Sequence, residues 1–138
     1  MARFLLDIVT PERTEFSAEV DMVIAPAFDG YMGVMAGHIP LITSLKTGVL
    51  RAIGGNREYV FAVSEGYMEV TGKKVIVLAE AAEMAERIDV NRALDAKRRA
   101  EDVLLNQRQQ EINFTKAKRS LEKAMNRLKA AEKVKDRT

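Results

Sequence analysis

The chain has 138 residues, of which 47% are hydrophobic and 30% charged, a length that suits one small domain with an appendage. It contains no cysteine, which excludes a disulfide framework and thiolate chemistry and fits a reducing compartment. Its apolar runs are far shorter than the roughly 18 residues of a membrane span. We therefore expect no signal peptide, a cytoplasmic location, and membrane association only through a partner.

The net charge of +2 conceals two oppositely charged regions. Residues 1–86 carry 7 Lys and Arg against 12 Asp and Glu, a net charge of −5, whereas residues 87–138 carry 15 against 8, a net charge of +7. The first region also holds all 8 glycines, all 3 prolines and every aromatic residue except Phe114. The second region thus lacks strong helix breakers. We predict two domains, residues 1–86 and residues 87–138.

The first region has the pattern of short strands closed by turns. Tyr59, Phe61 and Val63 alternate, as expected for a strand over residues 58–63, and an apolar run predicts another over 73–79. Further strand candidates are the segments 18–24 and 48–53. Glycine-containing segments at 54–56 and 71–73 supply the turns between strands. About ten short strands in this length indicate a β-sandwich, or a flattened barrel, that can bury its own core.

The second region has the pattern of two helices packed against each other. Apolar residues recur at spacings of three and four in two series: Ala93, Ala96, Ala100 and Val103, then Phe114, Ala117, Leu121, Ala124, Leu128 and Ala131. Polar residues 106–110 separate the series, and Asn113 is a candidate cap for the second helix. The prediction is an antiparallel two-helix hairpin after the sandwich, an α+β fold arranged by segments. Because its seam is narrow and rich in alanine, this hairpin should be the less stable part and a candidate moving part.

Two motifs carry a family resemblance. Residues 30–50, GYMGVMAGHIPLITSLKTGVL, closely match the pattern GxxGxxxGHxPLLTxLxxG, and residues 88–93, IDVNRA, match I/L-D-x-x-R-A. In both, and in the order of its two regions, the chain resembles the ε subunits of bacterial F-type ATP synthases. The resemblance implies a central-stalk subunit whose sandwich contacts the γ subunit and the c-ring, and whose hairpin either folds down or extends along γ and inhibits ATP hydrolysis.

The residues themselves argue against catalysis. Gly30, Gly33 and Gly37 lack the GK[ST] ending of a phosphate-binding P-loop, and His38 is the sole histidine, with no recognisable nucleophile nearby. The resemblance implies instead that His38 lies where the family contacts γ, and that Tyr31 and Met32 lie near its c-ring contact.

The basic residues of the hairpin allow two interpretations. Arg92 and Arg99 lie two turns apart on one helix, and Lys123 and Arg127 lie one turn apart on the other. With the turn near 109–110, antiparallel pairing places Arg92 near Arg127 and Arg99 near 120–123, so we expect the four cations to gather with few carboxylates facing them. Such a cluster is either a solvated basic face or a site for a polyphosphate.

The resemblance favours a site for ATP, with or without magnesium. Asp89 is also explained without ATP, as the N-cap of the first hairpin helix. Lys123 stands where strong ATP binders of the family carry arginine, and lysine keeps the charge but lacks the bidentate fork. The residues at matching positions are Glu83, Ile88, Asp89, Arg92, Ala93, Arg99, Lys123 and Arg127.

The leading hypothesis is a regulatory stalk subunit in which ATP favours the compact hairpin by binding it better than the extended one. Its partners would be γ, the c-ring and, through the extended tail, the α and β subunits. One alternative is a purely structural stalk protein without nucleotide-sensitive regulation. Another is a nucleic-acid-binding hairpin, which the lack of interleaved aromatic residues disfavours, so we expect no nucleic acid partner.

Overall fold

A computed structural model describes residues 2–106 and 111–135. Over these ranges the chain forms ten strands, a 3₁₀ turn at Ala85–Arg87 and two α-helices, α1 at Val90–Leu105 and α2 at Glu111–Lys135. The strands are β1 Phe4–Val9, β2 Thr14–Val20, β3 Met22–Ala27, β4 Gly30–Met35, β5 Leu41–Leu45, β6 Gly48–Gly54, β7 Arg57–Val63, β8 Gly66–Val70, β9 Lys74–Ala79 and β10 Ala82–Met84. The predicted sandwich followed by a helical hairpin is confirmed.

The strands form one hydrogen-bonded sheet that folds back on itself. Its order is β10-β7-β6-β3-β5-β8-β9-β1-β2, with β4 paired to β3, and the described pairings are antiparallel except for β1 with β9. Phe16 of β2 contacts Tyr59 and Phe61 of β7, with ring centroids 4.9 and 5.2 Å apart. Because β2 and β7 lie near opposite ends of the strand order, these contacts close the sheet into two layers.

The main core lies between these layers, and each of the ten strands contributes to it. Among its largest fully buried side chains are Leu6, Ile8, Leu50, Phe61 and Met68. Alternation along the strands follows the usual pleat, as Leu50 and Ala52 of β6 face this core while Val49 belongs to a second cluster.

The strand predictions in this region hold with one correction. Strands β7 and β9 match the segments predicted at 58–63 and 73–79, and Gly55 turns the β6–β7 hairpin with a φ of 61°, a conformation that favours glycine. Segment 18–24 is not one strand, because the chain bends at Asp21 between β2 and β3. The Asp21 carboxylate accepts the Gly55 N–H at 2.8 Å, which ties this bend to the β6–β7 turn.

The two helices pack together largely as their spacing predicts. The two helices approach each other closely through small buried side chains. These are Ala93 and Ala100 of α1 and Ala117 and Ala124 of α2. Two details were wrong: α2 begins at Glu111, so Asn113 lies inside it and is not its cap, and Phe114 is 47% exposed and not buried in the seam. The predicted turn near 109–110 lies outside the described residues.

A second, smaller apolar cluster joins the hairpin to the sandwich. Ala130 of α2 is fully buried against the outer face of β6 and β7. The other buried members are Val49, Val60, Ala62, Ala85 and Ile88. The helices therefore lie folded against the sandwich, although few large side chains hold them there. Over the ranges that the structure describes, neither helix is both long and apolar enough to cross a membrane.

Candidate functional site

The first helix of the hairpin begins with a conventional cap. Asp89 has an extended backbone, and its Oδ1 accepts the Arg92 N–H at 3.1 Å. The carboxylate satisfies a backbone amide that the helix leaves free and complements the positive end of the helix dipole. The predicted capping role of Asp89 is thus confirmed, while its role toward ATP stays a prediction.

Residues on either side of this cap fix the helix against its neighbours. Ile88 is buried in the cluster that joins hairpin and sandwich, and Ala93 is fully buried. Arg92 lies on the first turn of α1 and is exposed. The IDVNRA motif therefore presents a capping carboxylate and an exposed arginine on a buried apolar base.

Two cations of α2 face acidic residues of the sandwich. The Arg127 guanidinium binds the Glu83 carboxylate through Nε–Oε1 at 2.7 Å and Nη2–Oε2 at 3.1 Å, a bidentate geometry. Lys123 Nζ lies 3.8 Å from Glu80 Oε2. The expectation that few carboxylates face these cations was therefore wrong for both, because the end of the sandwich carries acidic side chains where α2 crosses it.

A cavity of about 180 Å³ opens beside these ion pairs, between α2 and the sandwich. Its walls include Glu83, Lys123 and Arg127, which the family resemblance had grouped, together with the apolar side chains of Ala62 and Val63. The cavity thus combines a largely apolar wall with two cations and a carboxylate, a composition suited to an organic anion.

Arg99 lies in a different place. It lines a groove of about 380 Å³ between the helices, with Lys116 and Ser120 on the opposite side. The antiparallel pairing had predicted Arg99 near Ser120, and this neighbourhood is confirmed. However, Arg99 and the pair of Lys123 and Arg127 line separate hollows, so the expected gathering of cations is only partial.

The residues assigned to subunit contacts lie on the sandwich, away from these cations. Tyr31 is 58% exposed on β4, and its hydroxyl accepts the Val49 N–H at 3.1 Å. Met32 packs partly against the main core. His38 lies after β4. Its ring Nδ1 donates to the Ile39 carbonyl at 2.7 Å, and its backbone N–H donates to the Met35 carbonyl. Tyr31 is thus available to a partner, whereas His38 also shapes its own turn.

Sequence reasoning missed the residues that dock the hairpin. The Asn126 side-chain Nδ2 lies 2.7 Å from the Gly48 carbonyl and 3.4 Å from that of Val63, two residues paired across β6 and β7. Asn126, Ala130 and Val134 follow a four-residue spacing on α2 that is offset from the interhelical seam. This second stripe could have predicted a docking face on α2, but it is short and contains a polar residue, so it stands out little in the sequence.

Within residues 2–106 and 113–135, no group of three or more His, Asp or Glu side chains is arranged to hold a metal ion. The cations, the Glu83 carboxylate and the apolar wall can bind and orient an anion. They supply no nucleophile activated by a neighbouring base.

Comparisons with known proteins agree on the family. Residues 3–85 match the family model described as ATP synthase, Delta/Epsilon chain, beta-sandwich domain, and residues 86–132 match the long alpha-helix domain of the same chains. Among curated relatives, the ATP synthase epsilon chain of Desulforamulus reducens is 50% identical over 127 residues, covering 92% of this chain and 96% of the relative. That of Dehalococcoides mccartyi strain BAV1 is 47% identical over 133 residues, covering 96% and 95%.

A solved structure shares the fold. A chain in the mitochondrial ATP synthase of Euglena gracilis, described as OSCP/F1/c-ring, superposes with a TM-score of 0.81 at 22% identity, covering 95% of this chain and 82% of that one. With two family models that together span nearly the whole sequence and relatives near half identity, the chain belongs to the ATP synthase delta/epsilon family, among the epsilon chains.

Proposed function

We propose that this chain is a non-catalytic subunit of the central stalk of a proton-translocating F-type ATP synthase, and that its hairpin regulates the enzyme. The hairpin inhibits ATP hydrolysis when it extends, and ATP favours the docked form. One observation carries the regulatory part: Lys123 and Arg127 line a cavity at the junction between α2 and the sandwich. A ligand held there contacts both parts at once and therefore favours the docked arrangement.

The proposed partners are the γ subunit, the c-ring and, through the extended hairpin, the α and β subunits. Family membership and the names of the relatives support a place in the ATP synthase. The exposed ring of Tyr31 supports a contact surface on β4. The subunit would reach the membrane only through the complex, on its cytoplasmic face.

ATP would bind by sharing the cations that now contact the sandwich. Glu83 occupies Nε and Nη2 of Arg127, which leaves Nη1 for a phosphate oxygen and holds the guanidinium in place. Lys123 is only loosely paired, at 3.8 Å, so its ammonium can turn towards a phosphate. Arg92 lies exposed near the start of α1 and would supply a further positive charge. ATP would bind there with or without magnesium.

The docked state is weak enough to be regulated. Its apolar contact rests on alanines and valines, of which Ala130 is the central one from α2. Its polar contacts include the side-chain amide of Asn126 and two partly exposed ion pairs. Contacts of this kind contribute about 1 kcal/mol each, so a ligand with modest preference for the docked form shifts the population.

Calorimetric titration of the full chain with ATP tests this proposal. The double variant Asp89→Ala with Arg92→Ala should weaken binding greatly, because it removes the motif carboxylate and a cation that would face phosphate. Loss of the cap alone costs roughly 1 kcal/mol, so helicity must be measured alongside affinity. Unchanged ATP affinity in this double variant would exclude the motif at residues 88–93 from the proposed ATP site.

A matched control lies on the same helix. Asp95 and Arg98 form an exposed pair, with Nη1 and Oδ1 3.9 Å apart, also three residues apart in the chain. Asp95→Ala with Arg98→Ala removes the same charges from α1 without touching the motif, and should bind ATP as the parent chain does. The purely structural alternative would be supported if the chain binds no ATP and if removal of the hairpin leaves ATP hydrolysis by the complex unchanged.

A further inference from the structure

A second cavity lies on the other flank of α2, where this helix passes β3, β4 and β6. It measures about 290 Å³ and is lined by the apolar side chains of Ile24 and Val49, the ring of Tyr31 and three cationic side chains. These cations are Arg51, Lys129 and Lys133. Lys129 and Lys133 are four residues apart and project on one face of the helix.

The charges of the two flanks differ. On the flank of Lys123, the sandwich offers carboxylates to the helix. On the flank of Lys129 and Lys133, it offers Arg51, whose Nε binds Glu58. Neither lysine makes an ion pair with a residue that the structure describes. Docking of α2 therefore brings two unpaired lysines beside the Arg51–Glu58 pair, so this flank carries a net positive charge that a bound anion neutralises.

The floor of this cavity is held rigidly. Ile24 and Arg51 are paired across β3 and β6, and the Val49 N–H donates to the Tyr31 hydroxyl at 3.1 Å. As the hydroxyl oxygen accepts that bond, its own proton is free to be donated to a ligand. The cavity thus combines two ammonium groups, a phenol donor and an apolar base.

We propose that this cavity binds a small soluble phosphate anion of the pyrophosphate class, at a site separate from the nucleotide site and complete only when α2 is docked. The two lysines contact the phosphate oxygens as point charges, and the Tyr31 hydroxyl donates to a third oxygen. Because its walls come from both the sandwich and α2, an anion in this cavity also stabilises the docked hairpin.

Pyrophosphate titrated into the full chain, followed by backbone amide NMR, tests the proposal. The amide of Val49 should shift, since its hydrogen bond to Tyr31 forms the floor of the site. The Lys123→Gln variant should keep this response, because Lys123 lines the other cavity and its loose ion pair with Glu80 contributes little to docking. Loss of the response in Lys123→Gln would assign the binding to the nucleotide site, and an absence of binding to the parent chain would also overturn the proposal.

The lysines are tested by the double variant Lys129→Gln with Lys133→Gln. Removing two charged donors should weaken pyrophosphate binding about tenfold or more. Lys118→Gln with Arg119→Gln removes the same charge from exposed positions of α2 and should leave affinity unchanged. All variants retain helix-forming residues, which circular dichroism verifies. Equal weakening by both double variants would show non-specific charge attraction, and unchanged affinity in Lys129→Gln with Lys133→Gln would also contradict the site.

Discussion

Glu83 and Arg127 connect the last strand of the sandwich to the second helix of the hairpin through two hydrogen bonds of 2.7 and 3.1 Å. About a third of each side chain remains exposed, so solvent screens the pair. We expect a coupling free energy of about 1 kcal/mol or less from a double-mutant cycle of Glu83→Gln and Arg127→Gln. Hydrogen exchange of α2 amides should accelerate in each single variant. Additive effects of the two substitutions would show that this ion pair does not hold the helix.

Ala130 is fully buried where α2 meets β6 and β7, and a larger side chain has no room there. Ala130→Leu should destabilise the docked hairpin by about 1–3 kcal/mol through overpacking, and the sandwich should keep its own stability. Limited proteolysis within α2 measures the first effect, and the unfolding transition of the strands measures the second. Glu132→Leu adds an apolar side chain at an exposed position of the same helix and serves as the control. Equal protease resistance in Ala130→Leu and the parent chain would contradict the docking surface described here.

A fragment ending at Glu86 should remain folded. The main core draws on all ten strands and on no residue of the helices, so truncation leaves it intact. Truncation does expose Val49, Val60 and Ala62, which the hairpin covers, and the fragment should therefore be less soluble. Circular dichroism checks the first expectation. An unfolded fragment, even when mixed with the γ subunit, would show that the sandwich depends on the helices.

The acid stability of the sandwich should depend on Ser17. Its hydroxyl donates to the Asp7 carboxylate at 2.6 Å, and this bond, with Lys74 nearby, holds the pKa of Asp7 below its ordinary value of 3.8. A lowered pKa stabilises the folded state above pH 3.8, and that stabilisation is lost as pH falls through the folded-state value. Ser17→Ala should raise the pKa of Asp7 and weaken this pH dependence.

Carboxyl NMR titration measures the pKa directly. Ser120→Ala, an exposed serine on α2, is the control and should leave Asp7 unchanged. An Asp7 pKa that does not move in Ser17→Ala would contradict the assignment of the shift to this hydrogen bond.

The sequence predicted the elements better than it predicted how they meet. Alternation and glycine turns identified strands such as β7, because burial of one face is a local signal. Phe114 was placed in the seam because its spacing fits, yet it is 47% exposed, and Leu105 near the end of α1 is 79% exposed. The closed end of the hairpin thus buries neither side chain, which the spacing alone does not reveal.

Contacts between distant segments had the weakest signal. The docking role of Asn126 depends on the carbonyls of Gly48 and Val63, more than sixty positions earlier in the chain. Likewise, the pairing of Arg127 with Glu83 depends on where α2 crosses the sandwich. The motif at 88–93 placed candidate residues for ATP on the hairpin, but the opposing carboxylates required the three-dimensional arrangement.

The inhibitory role of the hairpin is decided by ATP hydrolysis in the parent synthase, assembled with the full chain or with a chain ending at Glu86 and measured over a range of ATP concentrations. Removal of the hairpin should raise hydrolysis most at low ATP, and the difference should disappear at high ATP, where the docked form prevails. Equal hydrolysis by the two complexes at every ATP concentration, with normal assembly, would contradict this inhibitory role.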